Sequence, residues 1–468
     1  MKESFFLSQR LGFTNAQAAP IGRVGIRKFL TLSLASSPTM PEPALLQGSP
    51  RTREELRNIR QMDQPDKAKF AVTERRRAVG LAHLWLEKMH TDEFPLREKM
   101  VLFWHNHFVS DIQKVKVSYA MWRQNALFRE MAFGNYRELT RRILYDNAML
   151  AYLDNTQNKA NKLNENLSRE LLELFTLGVG NYTETDIKEG ARALAGLNLG
   201  DAGGQYYNFW EDKGTKTYLG KTGNWKADDM VDLIFDHPKA GELLMTKFLK
   251  FFVTDSPSAT LVADYTTAFR KADFEMTPML EKLVDDSRFT QSQGMKIKDP
   301  VTYLLQLLYE FQQEVPPALF TQYYCNEQGM KLLNPPNVKG WDGGRSWLSS
   351  QKLLQRVGIV SQLAGGKSLG NPKAGRQMQS MPEEMKTMMD PENEPRTKPA
   401  LRWDQTLTKN KAIIQELTDR NLFAVSPDLQ NDCEQLLKYD FDAKSSTANL
   451  SVTRLAEHIM KSPEFQIY

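Results

Sequence analysis

The stretch Asn161–Gly196, NKLNENLSRELLELFTLGVGNYTETDIKEGARALAG, constrains the fold most, because it sets a polar cluster into a strongly apolar helical pattern. Read as a helix from Asn166 to Leu177, the 3.6-residue period puts Leu167, Leu171 and Leu174 on a core face, with Leu172 and Phe175 widening it. Asn166, Arg169, Glu170 and Glu173 then share another face. Gly178 and Gly180 stop this helix where a left-handed cap is cheapest, and Thr183 with Asp186 predicts a capping box opening the next helix, which closes near Gly196. The pattern marks a site and names no reaction.

The chain is 468 residues long, enough to bury a sizeable core, and its 41% hydrophobic and 25% charged residues are those of an ordinary globular protein. Sixty-one basic against 57 acidic residues leave a net charge of +4, so the basic footprint of a nucleic-acid-binding protein is absent. Two cysteines, Cys325 and Cys433, allow at most one bridge and leave the compartment open. The amino terminus carries no apolar signal-peptide region, and no apolar run is long enough to span a bilayer.

Helical patterns run from Thr14 or Asn15 through Val24 to Ala35, then after a Pro-rich loop from Thr52 to about His90, with Pro65 at an interruption. Pro95 opens the helix Leu96 to Phe108, which contains FWHNHF, and further helices are expected at Tyr119 to Met131 and Tyr136 to Asp146. The pattern breaks at Gly200 to Asn224, where aromatic and β-branched residues around EDKGTK predict a β-hairpin or a pair of short strands, placed as an inserted hairpin over 205–220. Helices resume afterwards, interrupted by the Pro- and Gly-rich segment NPPNVKGWDGGRSWLSS. The expectation is a mainly α, large multi-helix globular unit over 1–365 and 401–468, with a small inserted β-hairpin and a flexible insertion at 366–400.

FWHNHF, YLDN at Tyr152 to Asn155, NENLSRELLELFTLGVGNYTE, EDKGTK, PPNVKGWDGGRSW and the closing SPEFQ occur in one order along nearly the whole chain. In that set the sequence resembles the bacterial domain-of-unknown-function family 1800. The resemblance implies a largely helical, commonly exported protein, often encoded beside a sulfatase-like or phosphatase-like one, although this chain shows no signal peptide. One departure stands out: the family's usual His-Asp before Gly-x-Lys is here Glu211 and Asp212.

The chemistry of these residues admits two readings. His105 and His107 lie two residues apart, about 200° around a helix, so they cannot share one ion unless the helix ends there. One is expected as a core residue beside Trp104 and the other facing the polar cluster. Glu170 and Glu173 are helical neighbours that can hold a divalent cation or split into acid and base, with a buried ion network as the alternative. Asp212 and Lys216 suit an anionic ligand on a turn, with ordinary turn chemistry as the alternative, and Asn337 and Trp341 suit a wall for a sugar ring, with Trp341 and Trp347 anchoring the loop on the core as the alternative.

The first functional expectation is therefore an exported hydrolase or transferase acting on an anionic glycan. Glu170, His105, His107 and Asp212 are its catalytic candidates, and Asn164, Asn166, Arg169, Lys216, Asn337 and Trp341 its substrate-binding ones. The alternative is a non-enzymatic binding or assembly protein partnering a sulfatase-like protein. Geometry separates them: convergence of a histidine, Glu170 and Lys216 on one open pocket favours the enzyme, and separation or a saturated network favours the alternative.

Overall fold

The structure is a computed structural model and describes residues 2–370, 398–438, 442, 445 and 447–468, so most of the insertion expected at 366–400 lies outside the described residues. Helices α1 (Lys2–Leu11), α2 (Ala18–Val24) and α3 (Ile26–Leu34) precede the short α4 (Arg53–Gln61) and the long α5 (Gln64–Thr91). Thr52 and Glu55 form a capping box on α4, and Asp63 caps α5 with Pro65 in its first turn, where a missing N–H costs nothing. There follow α6 (Leu96–His107), α7 (Ile112–Val115), α8 (Ser118–Glu130), α9 (Tyr136–Leu144), α10 (Asn147–Tyr152) and α11 (Asn166–Glu170). The predicted Thr183–Asp186 capping box is present at the start of α12 (Glu184–Leu194).

The chain then forms four short strands, β1 (Leu197–Asn198), β2 (Gln205–Tyr206), β3 (Lys216–Tyr218) and β4 (Lys221–Gly223). β1 pairs antiparallel with β2, and β3 with β4, giving two separate two-stranded sheets. The aromatic run therefore does not pair across EDKGTK: Tyr206 pairs back to Leu197, and the tight turn falls at Leu219 and Gly220, whose positive φ angles of 46° and 77° suit a two-residue hairpin turn. The chain continues through α13 (Ala227–Asp236), α14 (Glu242–Phe252), α15 (Ala259–Lys271), α16 (Met276–Asp285), α17 (Ser287–Thr290), α18 (Pro300–Glu310) and α19 (Ala318–Glu327). After the Pro- and Gly-rich segment come α20 (Ser350–Ala364), α21 (Asn410–Asn421), α22 (Pro427–Leu436) and α23 (Ala448–Lys461).

The fold is mainly α, and among the described residues buried apolar side chains from Phe6 to Phe465 belong to one continuous cluster. α6 runs through it with every residue but Asn106 buried, as expected of a helix packed on all sides. Its charges are internally answered: Arg129 donates to both oxygens of Glu98 at 2.6 and 2.8 Å, and Trp85 Nε1 donates to the same carboxylate at 2.9 Å. Cys325 and Cys433 are buried free thiols, and no described helix is long and apolar enough to cross a membrane.

The helix expected from Asn166 to Leu177 changes character midway. α11 continues into a π-helical turn, Leu171–Thr176, closed by the Leu177 amide donating to Leu172 O at 3.0 Å. The wider turn upsets the 3.6-residue register, so Leu174 is only half-buried while Thr176 and Leu177 turn inward.

Candidate functional site

The π turn explains the two histidines' surroundings. It ends with carbonyl groups that have no partner within the helix, and neighbouring elements supply the donors. His107 Nε2 lies 3.1 Å from Phe175 O, Tyr136 Oη donates to the same carbonyl, and Lys247 Nζ donates to Leu174 O at 2.9 Å. Because Nε2 faces an acceptor, it carries the proton, and Nδ1 is left to accept from Lys247 Nζ at 3.3 Å. Burial, and then the Lys247 charge, hold the His107 pKa well below its ordinary value; burial also lowers Lys247 to about 8. His107 thus serves as a neutral clamp on the end of the π turn.

His105 is equally buried, its ring 5.6 Å from Trp85 and 5.7 Å from Trp341, and burial lowers its pKa to about 3. Its Nε2 has no hydrogen-bond partner among the described residues. Both histidines are core residues, so the expected division between one core and one site-facing ring does not hold. The residue between them has the positional role: Asn106 Oδ1 accepts the Trp341 amide at 2.7 Å and ties α6 to the Pro- and Gly-rich segment.

Lys216 and Asp212 form a third, self-contained unit. The three donors of the Lys216 ammonium are matched by Asp212 O at 2.7 Å, Gly214 O at 2.8 Å and Asn224 Oδ1 at 3.2 Å, with the side chain 1% exposed. Asp212 accepts from Arg192 Nε at 2.7 Å and from the Gly214 amide at 2.8 Å; burial pushes its pKa up, but these partners prevail and lower it. Burial in turn lowers Lys216. Glu211 is paired with Lys226 at 2.8 Å.

Arg169 is held by both oxygens of Glu184 at 2.9 Å and by Glu165 at 3.2 Å, and Tyr182 donates to Glu173 at 3.0 Å. Asn164 Oδ1 accepts the Asn166 amide at 3.0 Å, a local turn that opens α11. Asn337 Oδ1 does the same for the Lys339 amide at 2.8 Å, and Trp341 is buried rather than displayed as a wall.

Glu170 differs from all of these. It is half-buried with no hydrogen bond to a described residue, and burial, then Glu173, raise its pKa against the opposing charges of Arg169 and Lys339. Its field reaches Tyr152, whose hydroxyl burial pushes up to about 12 with help from Asp111 and Glu170. Asp111 is itself raised, first by burial, against Lys331 and Lys114. Lys114 pairs with Asp154 at 2.8 Å, and Asp154 accepts from Asn166 Nδ2 at 3.3 Å. Asn166 and Glu170 are thus brought together with Tyr152, Asp154, Asp111 and Lys339, whereas His105, His107, Asp212 and Lys216 are not. Sequence reasoning missed Asp111, Lys331 and Lys247; Tyr152 and Asp154 lay within YLDN, the available signal.

Lys114 and Lys331 also line a cleft of about 2010 Å³ between α4, most of α5, the segment α7–α10, the 199–205 loop and α19. Its walls carry ten Arg or Lys and six Asp or Glu side chains, a positive surplus on a chain that is nearly neutral. Arg75, Lys116, Arg123 and Lys331 among them make no ion pair with a described carboxylate. Asp146, the cap of α10, also lines it, and burial raises its carboxyl to about 6. Among the described residues no group of three or more His, Cys, Asp or Glu side chains is placed to hold a metal ion.

Comparison with known families matches residues 7–467 to the family described as protein of unknown function, DUF1800, and the chain belongs to that family. No curated protein and no solved structure matches it.

Proposed function

We propose that the protein binds an extended anionic ligand, an acidic or sulfated glycan segment, along the cleft, and works as a binding protein. The observation that carries this reading is the cleft itself: about 2010 Å³, lined by a surplus of basic side chains, among which Arg75, Lys116, Arg123 and Lys331 make no ion pair with a described carboxylate. A small-molecule pocket is typically about 300–1,000 Å³, so this volume suits a chain of several units. The separation of the histidines from Lys216, whose donors are saturated, also favours binding over a histidine-centred reaction. Under this reading a sulfatase-like partner, implied by the family resemblance, would act on the ligand that this chain holds.

Titration with dextran sulfate and with neutral dextran over a range of salt concentrations tests it. Binding should be selective for the sulfated polymer and weaken with salt. Reversing Arg123 and Lys331 together to Glu should weaken it about 10- to 100-fold, taking about 1 kcal/mol for each exposed charge interaction. Equal binding of both polymers, or indifference to the double reversal, refutes the proposal. A hydrolytic second reading is favoured by Glu170 alone, whose raised carboxyl has no hydrogen-bond partner among the described residues and suits a proton donor. It requires that the protein release reducing ends from an acidic glycan and that Glu170→Gln stop this while remaining folded.

A further inference from the structure

The aromatic run at 206–210 plays no part in the cleft reading, yet it is built with care. Trp210 N donates to Tyr207 O at 2.8 Å, closing a turn with Asn208 and Phe209 at its tip. Both shoulders are pinned. Tyr207 Oη donates to Leu199 O at 2.8 Å and its ring carries the Arg53 guanidinium at 4.2 Å. On the other side Ala160 N donates to Trp210 O at 2.9 Å, and Lys159 Nζ lies 4.4 Å from the Trp210 ring centroid. The 159–162 segment is itself a tight turn, its ends joined by Lys159 N to Lys162 O at 3.1 Å and the reverse bond at 2.8 Å.

This rigid frame presents Phe209 with 93% of its surface exposed. A ring that stacks on a sugar keeps one face on the protein; Phe209 has both faces in water, so it is shaped as a knob for a deformable apolar medium. Leu163, 40% exposed, follows the neighbouring turn. Basic side chains without an ion-pair partner gather around the knob. Lys159, Lys162 and Lys213 make no ion pair with a described carboxylate, whereas the acids next in sequence to the turn are paired, Glu211 with Lys226 and Asp212 with Arg192. An apolar knob among unpaired lysines, with Tyr and Trp rings at its base, matches the interface of an anionic bilayer, where the ring enters the acyl boundary and the ammonium groups meet headgroup phosphates.

We infer that the Tyr207–Trp210 turn is a peripheral anchor for an anionic lipid surface, separate from the cleft. Co-sedimentation of the full chain with vesicles of phosphatidylglycerol and phosphatidylethanolamine, against phosphatidylcholine alone, tests it. Partition should favour the anionic vesicles, fall about 10-fold or more in Phe209→Ser, and fall again at high salt, because burying a Phe side chain contributes about 1.5–3 kcal/mol and lysine attraction is screened. Phe209→Ser should leave dextran sulfate binding unchanged, which separates this surface from the cleft. Since Cys325 and Cys433 are buried, Phe209→Cys can be labelled selectively with an environment-sensitive fluorophore, whose emission should rise on anionic vesicles. Absence of vesicle binding, equal binding to phosphatidylcholine, or binding that Phe209→Ser leaves intact overturns the inference.

Discussion

Gly340→Ala should loosen the junction between FWHNHF and PPNVKGW, and its cost can be worked from the geometry. Gly340 has φ +86°, in the left-handed region, where an L side chain costs about 1–2 kcal/mol. Its backbone lies so close to α6 that an added Cβ would meet Asn106 Oδ1 first and would sit 2.7 Å from Asn106 O. The carbonyl belongs to a buried helix and cannot swing away, so overpacking adds about 1–3 kcal/mol. The sum, about 2–5 kcal/mol, corresponds to a similar number of degrees in Tm, since a chain of this length shifts by about 1 °C per kcal/mol. Asn106→Ala removes the Oδ1 obstacle but strands the Trp341 amide, itself about 1–3 kcal/mol. Gly340→Ala should therefore cost about 1 kcal/mol less in the Asn106→Ala background than alone, a coupling that a double-mutant cycle reads directly. Chemical denaturation gives the energies, and hydrogen exchange at the Trp341 amide reports whether the junction opens locally. A Gly340→Ala protein within about 0.5 kcal/mol of the parent, with unchanged Trp341 protection, would falsify the account.

Two further predictions concern residues first considered for catalysis. Burial depresses both histidines, so the unfolded chain takes up protons below its ordinary histidine pKa while the folded chain does not; their contribution is fully present above about pH 6.5 and is lost as pH falls toward 3. Each histidine should contribute a slope of about 1.4 kcal/mol per pH unit there, and His105→Phe, which removes one buried orphan nitrogen among aromatic rings, should flatten the slope with little loss at pH 7. Urea denaturation at a series of pH values checks it, and an unchanged slope rejects it. Lys216→Met should destabilise by about 1–3 kcal/mol by stranding two carbonyls, yet leave dextran sulfate binding as it was; weaker binding in a folded variant would instead make Lys216 a ligand contact.

The helical architecture was legible because its signals are local. Pro65 at the break between two helices, the Thr183–Asp186 box and the apolar density of the FWHNHF helix each act within a turn or two, and each appears in the structure. The π turn at Leu171–Thr176 was not legible, because a one-residue widening leaves no mark in composition and depends on donors from α6, α9 and α14 to satisfy the carbonyls it frees. The small β-hairpin is present, but its turn lies elsewhere for a similar reason. EDKGTK carries turn chemistry, but its turn is wound around the Lys216 ammonium rather than between two strands, and only the completed set of acceptors reveals that.

The same distinction separates residues that hold the fold from those left free to meet a ligand. Polar residue type selected His105, His107, Arg169, Asp212 and Lys216 together with Glu170, but partners divide them. The polar groups of His107, Arg169, Asp212 and Lys216 are answered within the chain, and His105 is enclosed by aromatic rings. Glu170 at the motif face and Arg75, Lys116, Arg123 and Lys331 along the cleft carry charge with no ion pair to a described residue and within reach of solvent. A buried charge must be answered internally to be tolerated, whereas a charge at the surface can remain unanswered at little cost until a ligand arrives. Unanswered charge in a cleft is thus a better guide to binding than residue type within a motif, and here it shifts attention from the histidine helix to the basic walls beside it.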